Sequence, residues 1–352
     1  MSNVIRVGLA GYGRSGRDIH ADFLKNDSQF KIVAVADALP ERRQQAVEEL
    51  DCQVYSDYRE MLDAGGFDLF VNATPSRFHA EAVMAGLEKY NTLTEKPCAP
   101  SVADFDKMLE ISKRSGKLLF PFQNSRFFPH YQKAHEVVDS GVLGKIISVR
   151  LNYGGFGRRW DWQTRQDQLG GNLYNTGPHP LDQAIVFFGD AMPKVFCRMA
   201  AEHQGLGGDA DNFCALTLYG ENAPTVEVAV SSFQAYPQGE MLNIQGTCGG
   251  LKADFNGVTW KYFEPERAPR HEFWKPWSDN RKYCSENLPW REMTWTCQEE
   301  NLWRQAAGGV YRNMLEVLNG GERVIKLEQV RRQVYVLEEA HRQNPLPMMP
   351  LP

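Results

Sequence analysis

IRVGLAGYGRSG, residues 5–16, is a short apolar run that breaks into three glycines at the spacing G-x-G-x-x-G. An apolar run of this length bounded by glycine reads as a buried strand, and a helical pattern begins at about Ser15. Between a strand and a helix each glycine has a task. Gly11 permits the tight turn, Gly13 lets the backbone approach a pyrophosphate, and Gly16 lets helix and strand pack closely, with the helix N-terminus aimed at the phosphates. Asp37 ends the next apolar run, KIVAVAD (31–37), 21 residues beyond Gly16, where a carboxylate accepts from the ribose hydroxyls of a dinucleotide. Asp37 repels a 2′-phosphate and favours NAD, while Arg42 and Arg43 are placed to neutralise one and would admit NADP.

Outward from this turn the alternation continues. The helix PERRQQAVEEL has Pro40 in its first turn, strands follow at 68–74, 91–96 and 117–122, and helices begin near Pro75 and Ser101. Strand–helix alternation at this spacing makes a parallel, doubly wound α/β sheet, a Rossmann domain over 1–124. After about residue 125 the period changes. One helix (129–140) precedes strands at 145–153, 194–203, 212–219, 225–233, 241–247, 251–255 and 258–263, and helical patterns at 299–319 and 327–342 close the region. Residues 125–352 are therefore expected to form an α+β domain with a large, mainly antiparallel open sheet. The tail NPLPMMPLP cannot be helical and is expected on the surface.

Composition sets the background. The 352 residues carry a net charge of -5, with scattered basic residues that give no nucleic-acid surface. No run reaches the ~20 apolar residues of a membrane helix. Seven cysteines lie far apart without a C-x-x-C pair, which reads as reduced thiols in a cytoplasmic protein and no zinc site.

Three further segments carry chemistry: NATPSRFH (72–79), EKP (95–97) and GGNLYNTGPHPLD (170–182). With the glycine turn, and with SRFFPHYQKAHEVVDSGVLGKI (125–146), they resemble the Gfo/Idh/MocA family of oxidoreductases. Ligands of a doubly wound sheet sit at the carboxyl ends of its strands, where Thr74, Glu95 and Lys96 fall. The residues expected to contact the nucleotide are Gly11, Tyr12, Gly13, Arg14, Ser15, Gly16, Asp37, Thr74, Pro75, Ser76, His79, Glu95, Lys96 and Gln123. A lysine beside a nicotinamide can hydrogen-bond a substrate oxygen and stabilise charge developing on it. His179 is the natural general base. The resemblance also implies a cis Lys96–Pro97 bond, and for Asp182 a structural or substrate-orienting role.

One position departs from the family. Most of its dehydrogenases have an aspartate four residues before the histidine, and here the residue is Asn175. An amide can accept from an imidazole N–H or bind a hydroxyl, but it cannot form an ion pair with imidazolium. Catalytic roles are thus expected for Lys96, His179 and Asn175, and the substrate, a sugar, cyclitol or related polyol, is expected against these three with Arg126, Arg159, Trp160 and Trp162. No metal is expected. The Trp-rich segment 256–298 reads as a lid or an oligomer contact, and an open sheet face as the seam of a homodimer or homotetramer. Two other readings share these residues: a non-catalytic NAD(P)-binding sensor, and glycoside cleavage or epimerisation through transient oxidation.

Overall fold

In the computed structural model, which describes residues 4–236, 239–271 and 285–350, the chain forms two sheets. The first half gives β1 (Ile5–Ala10), α1 (Asp22–Leu24), β2 (Phe30–Ala36), α2 (Pro40–Leu50), β3 (Gln53–Tyr55), α3 (Tyr58–Ala64), β4 (Leu69–Asn72), α4 (His79–Leu87), β5 (Asn91–Thr94), α5 (Val102–Ser115) and β6 (Leu119–Pro121). The six strands are parallel in the order β3-β2-β1-β4-β5-β6, so strand order reverses between β1 and β4. Every residue of β4 is buried, as expected of a strand covered on both faces. The helix entered from the glycine turn is wound as a π-helix over Gly16–Ala21 before it continues as α1. Sequence periodicity does not reveal β3 and α3, because β3 is a three-residue strand at the sheet edge with no fully buried position.

The second half gives α6 (Pro129–Asp139), β7 (Ile146–Gly154), α7 (Asn172–Asn175), α8 (Pro178–Phe188), β8 (Lys194–Ala200), β9 (Phe213–Tyr219), β10 (Thr225–Ser231), β11 (Leu242–Gly246), β12 (Gly249–Asp254), β13 (Gly257–Tyr262), β14 (Arg291–Thr296), α9 (Leu302–Leu318) and α10 (Leu327–Gln343). The sheet order is β14-β13-β12-β11-β7-β10-β9-β8, antiparallel throughout except for the β7–β10 pair. Alternate residues such as Cys197, Met199, Leu216 and Val228 turn inward beneath α6, α8 and α10. The opposite face is open and carries Phe196, 64% exposed, with Arg150 and Glu227 paired beside it. The segment 256–298 supplies the two outer strands β13 and β14, with Trp260 and Trp295 packed against the core. Trp274 and Trp277 lie outside the described residues. Among the described residues no helix is long and apolar enough to cross a membrane.

The C-terminal helices tie the halves together. Tyr311 of α9 stacks on Phe23 at 5.1 Å inside the first core. Along α10, Val330 and Val334 belong to the first core and Val336, Leu337 and Ala340 to the second. Between the cores Gln123 Nε2 donates to Gln333 Oε1 at 2.6 Å, and Gln333 Nε2 donates to the Pro178 carbonyl at 2.6 Å. Beside this relay Arg126 Nε and Nη2 grip both oxygens of Asp182 at 2.6 and 2.7 Å, and Nη1 donates to Val324 O and Gln329 Oε1.

Arg126 therefore does not offer its guanidinium to a substrate. Nearly all its donors are taken by the protein, and the pair is 5% and 0% exposed. Gln123 is likewise a buried strut between the two cores and not an open nucleotide contact. Losing one partner leaves the other charge buried alone, so Arg126→Met should lower the unfolding free energy by about 3–5 kcal/mol. Adding Asp182→Leu should restore much of that loss, and denaturant titration of both variants measures it. A loss of about 1 kcal/mol or less in the single variant would instead describe a solvent-screened pair.

Candidate active site

At the switch point two of the three glycines are required by the fold itself. Gly11 has φ +87°, and a Cβ there would lie 2.3 Å from the Ala73 carbonyl oxygen. At Gly16 a Cβ would lie 1.8 Å from the Gly11 carbonyl oxygen. Gly13 differs, because an added Cβ meets only the tip of the Arg42 side chain, at 3.2 Å. Packing does not demand glycine at 13, and its missing side chain leaves free the space that a pyrophosphate would use.

The Asp37 carboxylate accepts from Tyr12 N at 2.8 Å and Leu39 N at 2.9 Å, and Arg42 stands 3.5 Å from it. Arg43 is spent on the carbonyls of Asp37 and Ala38. The residues present thus fit a dinucleotide: a glycine cradle, Arg14 and Ser15 at the head of the helix, and a carboxylate at the end of β2. The Tyr12 ring turns away into the core, where its hydroxyl donates to Glu49 at 2.8 Å.

β4 and β5 end in the second part of the site. Thr74 Oγ1 donates to Asn72 Oδ1 at 2.7 Å, and Pro75 and Ser76 lead into α4. His79 is buried, its two ring nitrogens each 2.8 Å from a carbonyl, Pro97 O and Thr74 O. It therefore clamps the ends of β4 and β5 together and stands beneath the nucleotide surface. The Lys96–Pro97 bond is cis. Glu95 is buried, with Oε2 accepting from Lys96 N and Oε1 3.3 Å from His20 Nε2. The other His20 nitrogen meets the Tyr311 hydroxyl at 2.8 Å. His20 is not among the site residues expected from the sequence. Its position one helical turn after Gly16 was the available signal, whereas its partner Tyr311 lies 291 residues away.

The second half closes the site from above. Gly171 (φ +100°) leads into α7, and there a Cβ would lie 2.0 Å from Asp211 Oδ1, so the paired glycines hold this turn against the sheet. Lys96 Nζ donates to the main-chain oxygen of Asn175 at 2.7 Å, and the Asn175 side-chain oxygen accepts from Gln163 Nε2 at 3.1 Å. His179, in the first turn of α8, has Nδ1 buried without a partner among the described residues. Lys96, Asn175, His179, Arg14 and Arg159 all line one cavity of roughly 900 Å³.

Trp160 and Trp162 do not line this cavity. Trp160 is 78% exposed, and Trp162 belongs to a short turn capped by Asp161. The aromatic wall comes instead from Trp303 and Phe255, with the Trp303 ring 6.3 Å from that of His179. Trp303 stands at the start of α9, so nothing in the local sequence links it to the histidine motif.

Burial, then the nearby Lys96 ammonium, pushes the His179 imidazole down to about 3, so it is neutral at pH 7. Burial also pushes Lys96 down, with Glu95 opposing and Arg14 and Arg159 reinforcing the shift. Burial alone would raise the Glu95 carboxyl, but His20, Lys96 and His79 hold it at about 2. A neutral imidazole and an ammonium thus share a concave, partly desolvated space. That combination can take a proton from a hydroxyl and steady the oxygen left behind.

A dinucleotide cradle under an ammonium–imidazole pair defines a nucleotide-dependent oxidoreductase, and comparison with known proteins agrees. Residues 5–123 match the oxidoreductase family with an NAD-binding Rossmann fold, and residues 131–252 match the GFO/IDH/MocA C-terminal domain. The chain belongs to the Gfo/Idh/MocA family. It is 29% identical over 254 residues to the 2,7-anhydro-N-acetylneuraminate hydratase of Mediterraneibacter gnavus, covering 70% of this chain and 66% of that one, just under two thirds. To the myo-inositol 2-dehydrogenase of Thermotoga maritima it is 27% identical over 258 residues, 71% of this chain and 75% of that one. Its fold matches the NAD-binding protein of Listeria innocua with a TM-score of 0.76 at 21% identity, covering 97% and 96% of the two chains.

The different demands on the glycines make a test. Gly13→Val should abolish NAD binding in titration calorimetry while shifting unfolding by no more than about 1 kcal/mol. Gly16→Ala should destabilise the protein itself. Unchanged NAD affinity in Gly13→Val would contradict the cradle.

Proposed function

We propose that this chain transfers hydride between a secondary alcohol of a sugar, cyclitol or related polyol and a nicotinamide, with NAD preferred to NADP. The observation that carries this reading is the convergence of Lys96 and His179 on one cavity beside the glycine turn. Bound NAD supplies the hydride acceptor. Lys96 has three N–H donors and spends one on Asn175 O, leaving two for the substrate oxygen. In the tautomer that carries its proton on Nδ1, His179 presents Nε2 to accept the hydroxyl proton as the carbinol hydrogen departs to the nicotinamide. Asn175 positions Lys96 through its main chain and offers its amide to a hydroxyl. Trp303 and Phe255 give aromatic faces for ring C–H groups. The relatives named for myo-inositol and an anhydro sugar support a polyhydroxylated ring as the substrate class.

In this reading residues 1–124 hold the nucleotide, and 125–352 present the substrate and assemble the oligomer. The open face with Phe196 and Ile147 favours a homodimer or homotetramer. Light scattering should give two or four times the 40.0 kDa chain mass, and a monomer at micromolar concentration would contradict it.

His179→Ala and Lys96→Met should each lower kcat by about 10²–10⁴ while NAD affinity holds. The base must be neutral to act, so activity falls as pH drops through its pKa. With His179 held near 3, the acid limb of kcat/KM should lie well below the ordinary histidine value of 6.5. Asn175→Asp adds a negative charge beside the pair and should move that limb to higher pH. The measurement is NADH absorbance across a panel of sugars, cyclitols and glycosides. Full activity in both variants on a confirmed substrate would end this mechanism, and tight NAD binding with no turnover would favour the sensor.

A further inference from the structure

The cavity holds more positive charge than oxidation of a neutral polyol calls for. Arg14, Lys96 and Arg159 all line it. The carboxylates nearby are already committed. Glu95 lies buried beneath, bound to the Lys96 backbone and beside His20. Asp254, the one carboxylate among the lining residues, accepts from Asn256 with both oxygens. Arg14 has no hydrogen bond or ion pair among the described residues. Arg159 touches only Asp161, through Nη2 at 3.4 Å, so its Nε and Nη1 donors have no partner among the described residues.

Both arginines lie close enough to Lys96 to disfavour its charged form, in addition to burial. Like charges converging on one cavity repel less once an anion enters it, and solvent at the two exposed arginines screens part of that repulsion. The pyrophosphate of a bound nucleotide accounts for Arg14, which belongs to the glycine turn. It does not account for Arg159, which enters the cavity from the segment between β7 and α7. The cavity wall also carries Asn172, Thr176, Ser232 and Gln234, suited to hydroxyls, with Asp254 as its one carboxylate.

We infer that the polyol carries a carboxylate and that Arg159 binds it, making the substrate a sugar acid or an acidic cyclitol. This rests on the hydride-transfer reading above and narrows it. Charge matching favours carboxylate over phosphate. Lys96 is assigned to the reacting oxygen and Arg14 to the nucleotide, which leaves Arg159, already offset in part by Asp161, to meet at most a single negative charge. The open Nε and Nη1 donors of Arg159 diverge, so each can meet one carboxylate oxygen singly.

The test compares matched probes: D-glucuronate with D-glucose, D-galacturonate with D-galactose, and D-glucose 6-phosphate as the phosphate arm. Titration calorimetry on the full chain, without nucleotide and with NADH, should show at least one acid binding about tenfold or more tighter than its neutral partner. Arg159→Gln should weaken binding of that acid about ten- to a hundredfold, with NADH affinity unchanged, and Arg159→Lys should restore only part of it. In turnover the loss should fall on KM more than on kcat. The inference is overturned if neutral sugars bind as tightly as their acids, if the phosphate binds more tightly than glucuronate, or if no probe binds. It is overturned equally if Arg159→Gln leaves the acid-to-neutral ratio unchanged. Its failure is distinguishable from that of the broader reading. Acid binding without NADH formation sinks hydride transfer alone, and NADH formation without acid preference sinks the carboxylate alone.

Discussion

The site exists because two separately built sheets are held at one spacing, and the buried Arg126–Asp182 pair carries much of that constraint. An ion pair out of water is a poor source of net stability, since desolvating both charges offsets most of their attraction. What it supplies is geometry. Arg126 follows β6, the last strand of the first sheet, and Asp182 sits one helical turn after His179, so two parallel hydrogen bonds fix where α8 lies relative to the end of β6. Apolar packing alone tolerates sliding, whereas a forked hydrogen-bond pair does not. The Gln123–Gln333–Pro178 relay adds a second fixed point next to the histidine. Lys96 and His179, which come from opposite halves, owe their common cavity to these struts.

A second constraint lies beneath Lys96. Glu95 is an ionised carboxylate in a nearly dry place, a costly arrangement without partners. Its partners come from distant parts of the chain: His20 from the helix after the glycine turn, and Tyr311 of α9 holding the other edge of that imidazole. The nucleotide turn, the lysine and the C-terminal helix are thereby one connected network. The Glu95 charge also supports the Lys96 ammonium against burial and the two arginines.

Legibility in the sequence followed the range of the interactions. β1, β2, β4 and β5 and the glycine turn are written in runs of under ten residues, and local period suffices to place them. The roles of Arg126 and Gln123 are not, because their partners Asp182 and Gln333 lie 56 and 210 residues away. Trp160 and Trp162 show the same limit from the other side. They adjoin the histidine motif in sequence, but the chain leaves the cavity after Arg159 and their rings face outward. Trp303 reaches the wall from a helix more than a hundred residues later. Local pattern therefore indicates the elements and the reactive residues, while long-range polar pairing decides which side chains remain free to meet a ligand.

Asn175 shows how a change at a reactive position is accommodated. The contact that matters to Lys96 is made by the main-chain oxygen of residue 175, which every amino acid supplies. The side chain is therefore free to differ, and the amide spends its oxygen on Gln163. What changes is charge. An aspartate here would offset part of the positive potential gathered by Lys96, Arg14 and Arg159. The amide leaves that potential intact, and His179 stays neutral and weakly basic beside it.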